Sequence, residues 1–182
     1  ITIVQMLWLN MIMDTLSALA FSYEPALLEY MMEPPKKKNE KIINSYMYNE
    51  IILTAIYSSL LCILFLKLPI VHEYFRTNNN NKYLMTAYFA MFIFIGIFNS
   101  FNARTYRINI FSNISKNKIY LIIISLIIIV QIYLIYFGGD LFRTYGLTAK
   151  EFLIILLISL SVWPVDGIRK IILKKLNLER NV

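Results

Sequence analysis

Charge is scarce in this sequence. Only 16% of its 182 residues are Asp, Glu, Lys or Arg, against about 25% in an ordinary soluble domain. A disordered chain needs more charge and fewer apolar side chains than this. Five glycines and five prolines exclude a collagen-like repeat. Cys62 is the one cysteine, so no internal disulfide forms, and cysteine usage does not reveal the redox compartment. Acidic residues number 11 against 18 Lys and Arg, a net charge of +7. In a soluble protein that excess would suggest nucleic acid. Here the basic residues sit between apolar runs, so membrane topology accounts for them and no nucleic-acid partner is expected.

Apolar side chains fill the remainder: 58% of the chain, with a mean hydropathy of +0.59. Ile1 to Phe21 carries one charge, Asp14. Ile51 to Leu66, Tyr83 to Ala103 and Ile119 to Gly139 carry none, and Phe152 to Val165 is charge-free and continues past Asp166 to Leu173. Each run suits a helix across ~30 Å of hydrocarbon. β-barrel strands would alternate apolar and polar residues, and these runs do not. The fold class expected is an all-α, multi-pass transmembrane bundle of five spans. Five spans of ~20 residues use more than half the chain and leave no room for a large soluble domain. The spans are placed at 1–21, 46–70, 83–103, 119–137 and 150–173. The connections are 22–45, 71–82, 104–118 and 138–149, with a tail at 174–182.

The connections carry turn and charge signals: Pro25, Pro34 and Pro35 before Lys36 to Lys38, the Asn78 to Asn81 run, and Gly138-Gly139-Asp140. No internal repeat is visible. Lys36 to Lys38, Lys41, Arg104, Arg107, Lys116, Lys118, Arg169, Lys170, Lys174, Lys175 and Arg180 fall on one side. Only Lys67, Arg76, Lys82, Arg143 and Lys150 fall on or near the other. The positive-inside rule puts the first group, and the C-terminus, in the cytosol. Ile1 is then outside. The opening has no basic n-region and no small-residue cleavage site, so it is not a signal peptide, and the start reads as a cut through a longer protein.

Asp14 is the sharpest chemical feature. It lies mid-span in LWLNMIMDTLSALA, where a charge costs ~2.5–3.5 kcal/mol on insertion scales. It is expected to face a bundle interior with a partner. Asn10 lies four residues earlier, on the same face of an α-helix. An amide oxygen and a carboxylate together suit a hard cation such as calcium, which takes six to eight oxygens. Two ligands are too few, so the others must come from elsewhere. The alternative is a membrane carboxylate paired with a basic residue or a polar helix face.

The surrounding residues carry a resemblance. QMLWLNMIMDTLSALAFSYEP followed by EPPKKK is similar to the sixth transmembrane helix and next loop of P-type calcium-transporting ATPases. FNSFNAR (98–104) and NIFSN (109–113) resemble the end of helix eight and its loop. VQIYLIYFGGDLF (130–142) resembles helix nine, and LSVWPVDGIRKII (160–172) resembles helix ten. The resemblance covers essentially the whole chain and implies helices six to ten of such a pump. It implies that Asn10 and Asp14 are the helix-six calcium ligands. Met13 stands where reticulum-type pumps carry a hydroxyl ligand, and Gly96 where they have a carboxylate and plasma-membrane pumps an amide. Neither side chain offers an oxygen, which brings the chain nearer the one-calcium, plasma-membrane type. The implied partners are the lipid bilayer and the earlier helices and cytosolic domains of the same pump. ATP and magnesium would bind those domains. The chain has no Asp-Lys-Thr-Gly-Thr motif and no nucleotide-binding segment, so alone it cannot hydrolyse ATP. In the family the 22–45 loop helps couple the phosphorylation domain to the membrane. Two other readings stay open: a pump for another cation, and a non-catalytic membrane subunit or channel piece.

Other residues are expected to be structural. Asn99 and Asn102 suit bonds between helices, and Glu50 and Glu151 suit membrane interfaces. Asp166 with Arg169 and Lys170 suits a helix-surface ion pair. Pro164 is expected to kink or locally loosen the last helix, and Trp8 and Trp163 to be packing or interface aromatics. His72 beside Glu73 is too few ligands for a metal. The sequon at Asn113 falls on the side assigned to the cytosol, and Lys36 to Lys38 suit anionic lipid or topology alone.

Overall fold

A computed structural model describes residues 1–25, 39, 42–76 and 81–175. The side chains of Met13 and Asp14 lie outside that description. So do Pro34, Pro35, Lys36 to Lys38, Lys41 and Arg180, named above, with most of the 22–45 connection and most of the Asn78 to Asn81 run.

The described residues fold into helices. In order they are α1 (Ile3–Asn10), a π-helical turn (Met11–Leu16), α2 (Ser17–Ser22), α3 (Ser45–Lys67), α4 (Pro69–Glu73) and α5 (Lys82–Ala103). After a 3-10 turn (Ile114–Lys116) come α6 (Lys118–Phe137), α7 (Gly139–Phe142), α8 (Ala149–Leu160) and α9 (Val162–Lys175). Four helical rods are long and apolar enough to cross a membrane: α3, α5, α6 and α8 with α9. The fifth helical stretch, α1 to α2, has the π turn at its centre.

Local chemistry explains where these helices start. Thr2 Oγ1 accepts from Gln5 N at 3.2 Å while Thr2 N donates to Gln5 Oε1 at 2.8 Å. Thr148 and Glu151 repeat that reciprocal cap. Asn44 and Asn117 accept from Met47 N and Tyr120 N, each at 2.8 Å. Such caps satisfy end donors that would otherwise be costly beside hydrocarbon.

Most of the core is built on α5, which packs against α3, α6, α8 and α9. Ala87 and Ala90 are fully buried, and small residues let membrane helices approach closely. Ile93, Phe94 and Ile97 of α5, Ile124 and Ile127 of α6 and Ile155 of α8 complete this layer. Ser159 Oγ donates to Met91 O at 3.3 Å across the α5–α8 seam. By contrast α3 is 11% buried over its most apolar stretch, and Ile52, Ile56, Leu60 and Ile63 point outward.

The last rod breaks at Ser161. Pro164 has no N–H to offer the Leu160 carbonyl, and its ring crowds that group. The freed turn is held from outside the rod. Tyr57 Oη donates to Ser161 Oγ at 2.6 Å, and Asn102 Nδ2 donates to Val162 O at 3.3 Å.

Candidate functional site

Asn10 ends α1, and Asp14 lies inside the π turn. A π turn closes from i to i+5 and so holds one residue more than an α turn. The buried seam shows why it is there. Gln5, Leu9 and Ile12 are buried at steps of four and three; among the described side chains the next buried ones are Ser17 and Ala20. The step from Ile12 to Ser17 is five residues. An unbroken α-helix would have continued the seam at Leu16 and Leu19; Leu16 is half-buried against the edge of the core, and Leu19 is 45% exposed. The extra residue therefore brings two small side chains onto α6, which α2 packs against. This corrects the α-helical geometry assumed from sequence spacing.

Asn10 is exposed on the surface of this chain, turned away from the packed seam. Gly96 is half-buried on α5. Among the described residues no group of three or more His, Cys, Asp and Glu side chains forms that could hold a metal. His72 is half-buried, with Nε2 3.0 Å from Leu66 O.

Both ends of the stretch from α1 to α2 are tied to the rest of the bundle. At one end Gln5, 4% exposed, donates from Nε2 to Phe142 O at 2.6 Å, and Trp8 meets Phe142 edge-on at 6.0 Å. At the other end Glu24, just past α2, accepts from Arg104 Nη1 and from Asn117 Nδ2, each at 2.7 Å. Arg104 Nη2 also donates to Ile110 O at 3.0 Å and Ser112 O at 2.6 Å. Its guanidinium lies over Tyr120, whose hydroxyl is 2.8 Å from Ser100 Oγ.

A second polar cluster lies inside the bundle. Asp166 pairs with Arg169 at 2.6 Å and with Lys170 at 2.8 Å, as their spacing suggests. The pair is not on a helix surface, however: all three residues are buried. Arg169 reaches Glu50 of α3 at 3.2 Å and Tyr46 Oη at 3.2 Å. Lys170 Nζ donates to Asn102 O at 3.0 Å and Thr105 O at 2.8 Å. Packing of α9 against α3 and α5 buries what spacing alone leaves exposed. Beside it, Glu50, Thr54, Ser58, Asn99 and Tyr106 line an open cavity of about 450 Å³. At the opposite end of the bundle Glu151, 2% exposed, takes a two-oxygen grip from Arg76 at 2.9–3.1 Å. That bonding holds the Arg76 guanidinium further above its ordinary pKa.

Residues 1–172 match the family described as cation transporting ATPase, C-terminus. The chain belongs to that family. Within the cation-transporting ATPases it is 35% identical over 181 residues to the plasma membrane-type calcium-transporting ATPase 8 of Arabidopsis thaliana. It is 34% identical over 176 residues to the calcium-transporting ATPase PAT1 of Dictyostelium discoideum. These alignments cover 94% and 91% of this chain but 16% of each relative. The chain thus corresponds to the C-terminal membrane part of a cation-transporting ATPase of the plasma-membrane calcium type.

Proposed function

We propose that this chain forms the C-terminal half of the ion pathway of an ATP-driven calcium pump, with Asn10 and Asp14 as ligands of the transported ion. The observation that carries the proposal is the π turn at Met11–Leu16, set between two α-helical segments. Such turns inside α-helices occur frequently at functional sites. They also loosen the backbone bonding that would otherwise occupy the carbonyls nearby. Asn10 faces outward from these helices, which suits a site completed by helices elsewhere in the same protein. The relatives' name as calcium-transporting ATPases supports calcium as the ion.

Calcium is the cargo. ATP and magnesium belong to other domains of the full-length protein. The Lys- and Arg-rich end of the bundle, with the C-terminus, lies in the cytosol. Divalent-ion binding among membrane helices needs negative charge, because neutral oxygens alone poorly offset dehydration. Asp14→Asn keeps the shape and removes the charge, and burying an amide costs less than burying an ion. Calcium-dependent phosphorylation of the full-length protein by ATP is therefore expected to collapse while membrane insertion stays normal. Asn10→Ala weakens calcium affinity in the same direction. An unchanged calcium dependence in Asp14→Asn would remove Asp14 from the site.

A further inference from the structure

We infer that Arg104, acting through Glu24 and Asn117, is a positioning residue for the ion site on α1 and the π turn. The inference rests on the function proposed above, but the observations behind it are separate. Glu24 uses both carboxylate oxygens: Oε1 on Arg104 and Oε2 on Asn117, each at 2.7 Å. Arg104 is a rigid fork whose side chain is 1% exposed. It joins that carboxylate to the carbonyls of Ile110 and Ser112. A lysine has one nitrogen and cannot reproduce this spread of donors.

The clamp closes a mechanical circuit. Glu24 lies ten residues beyond Asp14, ~15 Å along a helix axis, too far for Glu24 or Arg104 to touch an ion there. Between them runs α2, whose Ala20 is fully buried and whose Phe21 ring lies 6.1 Å from that of Tyr120. At the far end Gln5 is bonded to Phe142 O. The stretch from Thr2 to Glu24 is therefore fixed at both ends, and the π turn between them is the one place where its helical bonding changes register. A segment with pinned ends and a soft centre holds its ligands at a set spacing. Releasing one end lets the centre relax towards an ordinary helix. The cost appears as weaker ion affinity, not as loss of the phosphorylation machinery.

The test uses the full-length protein and measures phosphoenzyme from ATP against free calcium. Asn117→Asp is the cleanest variant. It keeps the oxygen that caps α6 through Tyr120 N but turns a carboxylate towards Glu24 in place of the donor. Glu24→Gln and Arg104→Gln remove the charges of the pair. Each is expected to raise the calcium needed for half-maximal phosphorylation by at least about fivefold, with the saturating level retained. Glu24→Gln combined with Arg104→Gln should be no worse than the poorer single variant, because both open the same clamp. Arg104→Lys should recover only part of the affinity. An unchanged half-saturation in Asn117→Asp and Glu24→Gln would overturn the inference. So would a fall in saturating phosphoenzyme with unchanged half-saturation, which marks a merely structural role. Asp14→Asn in the same assay tells the two failures apart. If it collapses while the clamp variants behave as wild type, the ion site stands and only the positioning role falls.

Discussion

Lys170 gives its ammonium three oxygens inside the protein: Asp166 Oδ2, Asn102 O and Thr105 O. Asp166 in turn serves two cations. That asymmetry yields a ranked prediction. Asp166→Ala leaves Arg169 and Lys170 short of their counter-ion in a buried place, which costs ~3–5 kcal/mol. Lys170→Met fills similar volume and removes one charge and its donors, at a cost of ~1–3 kcal/mol. Thermal unfolding of the purified protein in detergent reads both, and Asp166→Ala should be the less stable. The reverse order would mean that Glu50 alone compensates Arg169. The i,i+3 and i,i+4 spacing made the pairing legible in the sequence. Burial was not legible, because it depends on Tyr46 and Glu50, more than a hundred residues away along the chain.

The π turn is the element on which most depends. Deleting Thr15, an exposed residue in it, shortens the step from Ile12 to Ser17 from five residues to four, which an ordinary α-helix accommodates. The seam of Gln5, Leu9, Ile12, Ser17 and Ala20 then survives without the turn. Insertion and expression should be retained, while the calcium needed for phosphorylation rises or the response disappears. An unchanged response would make the turn a packing device only. The bend after α6 makes a different demand. A Cβ on Gly138 would collide with the Leu134 carbonyl oxygen and lie 2.5 Å from Thr144 Oγ1, and Gly139 has φ +51°. Gly138→Ala should therefore destabilise by ~1–3 kcal/mol, read as a lowered melting temperature and faster proteolysis at 138–145. The glycine pair announced a turn in the sequence. The five-residue step did not show there, since Leu16 and Leu19 look as suitable for a seam as Ser17 and Ala20.

For the whole molecule, topology is the property that charge distribution sets. The cytosolic assignment of the basic end predicts a labelling pattern with an impermeant thiol reagent. In a Cys62→Ala background, Glu73→Cys should react from outside intact cells, and Ser115→Cys should react only after permeabilisation. Both native residues are exposed. The opposite pattern would invert the bundle. At each end, long-range ion pairs then lock the loops together: Arg76 to Glu151 at one and Arg104 to Glu24 at the other.

By itself the sequence determined the solvent, the class of fold and the family. Runs of about twenty apolar residues have one stable solution in hydrocarbon, a helix whose backbone bonds are all internal. Asn10 and Asp14 stood out for the same reason, because polar groups at mid-span are costly and rarely idle. Tertiary structure decided what each polar side chain meets. Glu24, Arg104 and Asn117 lie on three separate stretches of chain, and no local pattern joins them. Packing of α2 on α6, and of α6 on α5, whose C-cap is Arg104, brings the carboxylate to the guanidinium. The same packing chose Ser17 and Ala20 for the seam, and the π turn follows because a straight helix cannot present Ile12 and Ser17 on one line.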